Sequence, residues 1–287
     1  MHNIRKDGHC EYFKMQDSLF KHTRLGTHIL GPCNGLFLMR SYDANCFPIF
    51  WLWNPYNKES KEIVIPKVRD TDVYGLCYKC DTDDYVIVVA TFYSSLIGYK
   101  VQVYTLRSNS WRTLPNILPY NISSVYGVEA IFVHGAIHWI ASQIVSPFPS
   151  RKTCIVSYDI RGENFNEVAL TPRVDELLNG LNCNEQNSLS VFGGCLCILR
   201  PYGGYNIEVW VKKSYNVRES WTILFIAQLP VVTNPIHRVK ILWEFKNGEV
   251  LLVASKGSPP WNCCFVLYDW VSQKCKVTEI DHIIAFR

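Results

Sequence analysis

The chain has 287 residues, 29 Lys and Arg against 25 Asp and Glu, and 48% hydrophobic residues. That apolar share supplies a packed core and excludes disorder over most of the length. Charged residues reach only 19% while aromatics reach 14%, a mix that favours β-structure, and the net charge of +4 is scattered in dipeptides such as Lys212-Lys213. No basic stripe points to a nucleic-acid partner.

The N-terminal stretch MHNIRKDGHCEYFK holds no apolar core of the kind a signal peptide needs. The twelve cysteines are therefore expected to stay reduced, in a cytoplasmic location that extends to the nucleus. Glu11–Leu25 carries weak helical patterning. From residue 30 a two-part phrase repeats. Its first part is strand, tight turn, strand: LGPCNGLFLM around Gly35, AIFVHGAIHWIA around Gly135, LSVFGGCLCIL around Gly194 and WEFKNGEVLLVA around Gly248. The second unit turns instead through Cys80–Asp84, between YGLCY and YVIVVA. Glycine suits such turns because it sits at positive φ without a β-carbon clash.

The second part is a strand with an aromatic anchor, a polar turn and a short strand. The anchors are Trp53, Tyr104, Tyr158, Trp210 and Tyr268, spaced 51, 54, 52 and 58 residues apart. Each unit is four short strands. Four-stranded antiparallel units at this period predict an all-β, kelch-like β-propeller, with five recognisable units plus an incomplete N-terminal one. A short helix is expected at Val174–Leu181. The uncharged stretch Ala130–Ser150 contains His134, His138, Gln143, Pro147 and Pro149, too polar and broken to span a membrane as a helix.

In a blade with strands a, b, c and d, the a–b and c–d turns fall at one end, and the b–c and d–a connections at the other. The first set is short and regular here. The b–c set, Ser41–Pro48, Phe92–Tyr99, Ser142–Lys152, Arg200–Asn206 and Ser255–Asn262, is expected to be irregular loop, where binding usually resides. It carries Tyr42, Tyr93, Phe148, Tyr202, Tyr205 and Trp261, the candidate protein-binding residues, because aromatic side chains bury large area at low entropic cost. Trp53, Trp111, Trp139, Trp221 and Trp243 lie inside strand phrases and are expected to pack the blades.

No catalytic, cofactor or metal residue is assigned. Cys77 and Cys80 have CxxC spacing without a second pair. His134 and His138 flank a hairpin turn, where an i, i+4 spacing does not chelate. Asp81, Asp83 and Asp84 lack the glycine and glutamate of a calcium loop. No Walker loop, GxGxxG, GxSxG or HExxH is present. A propeller glycosidase remains the enzymatic alternative, since its carboxylates converge only in space.

The wording of the units, among them GPCNGLFLM, LWNPYNKESKEIVIP, KVQVYTLRSNSWRTL, FVHGAIHWIA and GEVLLVASK, resembles the F-box-associated domain of plant F-box proteins, nearest the S-locus type. The resemblance implies a domain over residues 30–287 that acts without chemistry as the substrate receptor of an SCF ubiquitin ligase, binding a target protein beside a Skp1-type adaptor and cullin. Residues 1–29 read as a remnant without the helical F-box, so adaptor binding by this chain alone is not expected, and a truncated nonfunctional paralogue is the third reading.

Overall fold

The computed structural model describes residues 2–4, 10–12, 28–43, 45, 47–65, 72–94, 98–118, 120–122, 130–143, 152–180, 186–229, 235–256 and 262–279. Five antiparallel blades follow one another along the chain as a β-propeller. Blade 1 is His28–Cys33, Leu36–Tyr42, Pro48–Trp53 and Ser60–Ile63. Blade 2 is Val73–Lys79, Asp84–Ser94, Gly98–Thr105 and Ser110–Leu118. In blade 3, strand a comes in two pieces, Tyr120–Ile122 and Ile131–Val133, both paired with Ala136–Gln143, followed by Thr153–Asp159 and Asn164–Glu167. Blade 4 is Ser188–Phe192, Cys195–Tyr202, Asn206–Lys212 and Trp221–Gln228. Blade 5 is Ile236–Glu244, Glu249–Lys256, Asn262–Asp269 and Lys274–Glu279. Ahead of them His2–Ile4 pairs with Cys10–Tyr12, so Glu11 and Tyr12 belong to a strand and not to the helix expected at Glu11–Leu25, whose remainder lies outside the described residues.

Period-2 alternation distributes side chains between neighbouring blades. In blade 2, Val86 and Val88 pack with Ile137, Trp139 and Val156 of blade 3, while Ile87 and Val89 pack with Leu38, Phe50 and Leu52 of blade 1. Blades 3 and 4 share Ile155, Leu196, Ile198 and Trp210; blades 4 and 5 share Leu199, Val209, Val250 and Val266. Both faces of a blade are thus apolar, which is why YVIVVA reads as a continuous run. Each fully buried side chain of this size contributes about 1.5–3 kcal/mol.

The five aromatic anchors of strand c are all buried. The Tyr104 and Tyr158 rings lie on their strand d partners Trp111 and Phe165, with centroids 5.1 and 5.0 Å apart. Polar tips then cross the seams. Trp111 Nε1 donates to Val64 O at 2.8 Å, Trp221 Nε1 to Ala169 O at 3.0 Å, and the Tyr99 hydroxyl to Ile122 O at 2.7 Å. Lys212, buried at the end of strand c in blade 4, donates to Ala169 O and Val217 O and lies 5.2 Å from the Trp221 ring. The one α-helix among the described residues, α1 at Pro172–Asn179, bears out the expected short helix. Thr171 caps it, and Val174, Leu177 and Leu178 are buried between blades 3 and 4.

The seam between blades 3 and 4 contains a buried histidine. His138 Nδ1 lies 3.1 Å from Ile131 O, which can only accept, so Nδ1 carries the proton and Nε2 accepts from the Tyr215 hydroxyl at 2.5 Å. Burial pushes the imidazole down to about 4 against the Ile131 carbonyl, which pulls upward. A neutral imidazole is what this geometry requires.

All four turn glycines have positive φ, from +72° to +87°. At Gly35 (φ +84°) an added methyl meets nothing within 4 Å, so Gly35→Ala should cost about 1–2 kcal/mol through backbone strain alone. Gly31, in the same hairpin and equally uncrowded, lacks positive φ, so Gly31→Ala should not destabilise. Urea midpoints of the two variants check this. Between pH 6.5 and 4 the unfolded chain binds a proton at His138 that the folded chain does not, so stability is whole above about pH 6.5 and falls toward pH 4. His138 contributes at most about 3 kcal/mol to that fall. In His138→Gln this part of the pH dependence should vanish from denaturation curves taken across the range.

Candidate protein-binding face

Antiparallel pairing fixes the two ends of the molecule. The a–b turns at Asn34-Gly35, His134-Gly135 and Gly193-Gly194, with the c–d turns such as Leu106–Asn109, lie at one end, and the b–c connections lie at the other. Of the six candidate aromatics, four are at the b–c end. Phe148 and Trp261 lie outside the described residues.

Tyr42 closes strand b of blade 1 opposite Pro48 and is half-buried, with the Arg40 guanidinium 5.5 Å from its ring centroid. Tyr93 stands 58% exposed where the register of blade 2 shifts between Phe92 and Ser94, a bulge that turns the ring outward. Tyr202 ends strand b of blade 4 and is half-buried, with Arg200 5.8 Å from its ring. Tyr205 is 42% exposed, after Gly203 (φ +59°) and Gly204 (φ +82°). Arg200–Asn206 is therefore no irregular loop. It is a two-glycine hairpin turn between long strands, and strand b of blade 2 likewise reaches Ser94.

Sequence reasoning missed Phe47, which is 67% exposed. Its amide donates to Asp43 Oδ1 at 2.8 Å while Asp43 N donates back to Phe47 O at 2.8 Å, closing the turn so that the ring points to water. An Asp four residues ahead of a Phe-Pro step was the available signal. Among the tryptophans, Trp53, Trp139 and Trp221 are buried and Trp111 is half-buried, but Trp243 is 63% exposed. The expectation that it packs a blade is corrected: the register of strand a in blade 5 shifts between Ile241 and Trp243, and the bulge rotates the indole out.

The turn end holds a cavity of about 690 Å³ lined by Lys79, Asp81, His134, Asp159, Arg161 and Tyr215 among others. Several of its charges are paired. Arg161 faces Asp81 at 3.8 Å, and Asp159 accepts from the Arg161 amide at 2.9 Å. The thiols of Cys33, Cys77 and Cys154 are raised by burial, to about 11 and about 12 for the first and last, which keeps them protonated and unreactive. Among the described residues no three His, Cys, Asp or Glu converge for a metal, and no helix is long and apolar enough to cross a membrane.

Comparison with known proteins agrees with this architecture. The chain is 28% identical to the F-box protein CPR1 of Arabidopsis thaliana, over 88% of this chain and 64% of that one. A second Arabidopsis F-box protein is 29% identical over 78% of this chain and 60% of its own length. An F-box/kelch-repeat protein of the same plant is 25% identical over 80% and 62%. The chain thus spans a little under two thirds of these curated relatives. Among solved structures, a TolB from Acinetobacter baumannii aligns with 89% of this chain and 55% of its own at a TM-score of 0.48 and 10% identity, too remote to carry argument. Residues 7–260, which include blades 1 to 4 and the first two strands of blade 5, match the F-box associated beta propeller domain, and the chain belongs to that family.

Proposed function

We propose that the chain is a non-enzymatic protein-recognition module, the substrate-receptor part of an SCF-type ubiquitin ligase, and that it holds its target protein against the b–c end. A Skp1-type adaptor and a cullin complete the assembly, acting in the cytoplasm and nucleus. The F-box names of the relatives support the class of function. The observation that carries the choice of face is three exposed aromatic rings, Phe47, Tyr93 and Tyr205, on the b–c ends of blades 1, 2 and 4, against Tyr56 and Trp243 at the turn end, together with Tyr42 and Tyr202 stacked on arginines beside two of them. Tyr and Arg are the residues that dominate interface energetics.

Capture of partners from a plant-cell extract, followed by mass spectrometry, tests this reading. Tyr93→Ala or Tyr205→Ala should weaken the captured target by about 2 kcal/mol or more, roughly thirtyfold, while shifting folding stability by only about 0.5 kcal/mol. Trp243→Ala, at the opposite end, should leave capture unchanged. Loss of the target with Trp243→Ala and not with the tyrosine variants would move the site to the turn end, and glycoside turnover abolished by one Asp or Glu substitution would replace the reading with an enzymatic one.

A further inference from the structure

Two arginines of the b–c end stack on a tyrosine two residues ahead, and they differ in one respect. Arg200 stands opposite Glu208 across strands b and c, and its Nη1 lies 3.4 Å from Glu208 Oε2. Both side chains are largely buried, so each supplies the counter-charge the other needs. Arg40 stands opposite Phe50 in the corresponding pairing of blade 1. Its guanidinium forms no ion pair and no hydrogen bond among the described residues, its Nε, like that of Arg200, is buried without a partner, and the Tyr42 ring is what it rests on.

Among the described residues no ion pair supplies the missing charge. Arg40 shares the face of Leu38, whose core lies between blades 1 and 2, and on the blade 2 side of that seam Thr91 Oγ1 is likewise buried without a partner. Asp72, buried just ahead of strand a of blade 2 at the same end, has interactions of its own, though its Oδ1 accepts no hydrogen bond and no ion pair joins it to Arg40 among the described residues. A half-desolvated guanidinium is held by an aromatic face, which offsets part of its lost hydration and leaves the planar N–H fork open to an oxyanion.

We propose that Arg40, seated on Tyr42, receives an acidic side chain of the bound target protein, so that the recognised segment carries an anion where blade 4 provides its own Glu208. This rests on the proposed function of the b–c end and names the chemistry of its ligand. The anion is a carboxylate of Asp or Glu or the phosphoryl group of a modified residue, since the guanidinium fork matches either.

A random-peptide library displayed on phage, panned against the intact chain, tests the proposal. Selected peptides should be enriched in Asp and Glu. Synthetic copies should lose about thirtyfold in affinity or more when the critical acid is changed to its amide, as expected for one half of a desolvated charge pair. The same peptide change should have no effect on Arg40→Met, and Arg40→Lys should recover part of the binding. Copies with phosphoserine at that place separate the two anions: tighter binding through Arg40 assigns a phosphorylated target, weaker binding a carboxylate. Arg40→Met should melt no lower than the parent, whereas Arg200→Met, which strands Glu208, should melt several degrees lower. Peptides that depend on Tyr93 or Tyr205 but show neither acidic enrichment nor sensitivity to Arg40 would overturn this proposal and leave the b–c face standing. Peptides indifferent to every b–c variant, or no binding peptides at all, would overturn both.

Discussion

A four-stranded blade with apolar side chains on both faces cannot stand in water, and this constraint governs the rest of the molecule. Each blade is stable only when its neighbours cover it, so the alternation of side chains along a strand becomes an alternation between two seams. Ile87 and Val88, adjacent in sequence, serve different cores. The polar tips of Trp111, Trp221 and Tyr99 then find carbonyl partners across the seams, which satisfies groups that the same packing would otherwise strand. The seams make the blades rigid. What remains free to vary is the chain at the two ends.

The ends are unequal because of how each is held. At the turn end, charged side chains answer one another within the protein. Arg112 pairs with Glu163, Arg161 faces Asp81, and the Lys212 ammonium is enclosed by two carbonyls and an indole. At the b–c end Phe47, Tyr93 and Tyr205 stand in water, as Tyr56 and Trp243 do at the turn end, but Arg40 at the b–c end has no ion-pair partner among the described residues. Groups left unanswered within a fold are where a partner gains most, because the protein has already met the cost of desolvating and orienting them.

Much of this was legible in the sequence. The strand c anchors recur near 50 residues, all five are buried, and the turn glycines occupy the positive φ that their place in the hairpins demands. Trp243 is misread because it sits beside a register shift, and a bulge reverses the inside–outside order of every later residue without leaving a mark in local composition. Gly203 and Gly204 read as loop composition and proved to be hairpin geometry. The counter-charge difference between Arg40 and Arg200 depends on which residue stands across the strand pair, Phe50 or Glu208, and that register emerges only from the folded sheet.

The central claim, recognition at the b–c end, is tested most directly by lysine cross-linking of the chain to its captured target. The backbone places Lys100, Lys152 and Lys256 at the b–c end and Lys58, Lys79, Lys213, Lys246 and Lys274 at the turn end, so the two ends report separately. The account predicts intermolecular cross-links at the first group. Cross-links confined to the second would contradict it.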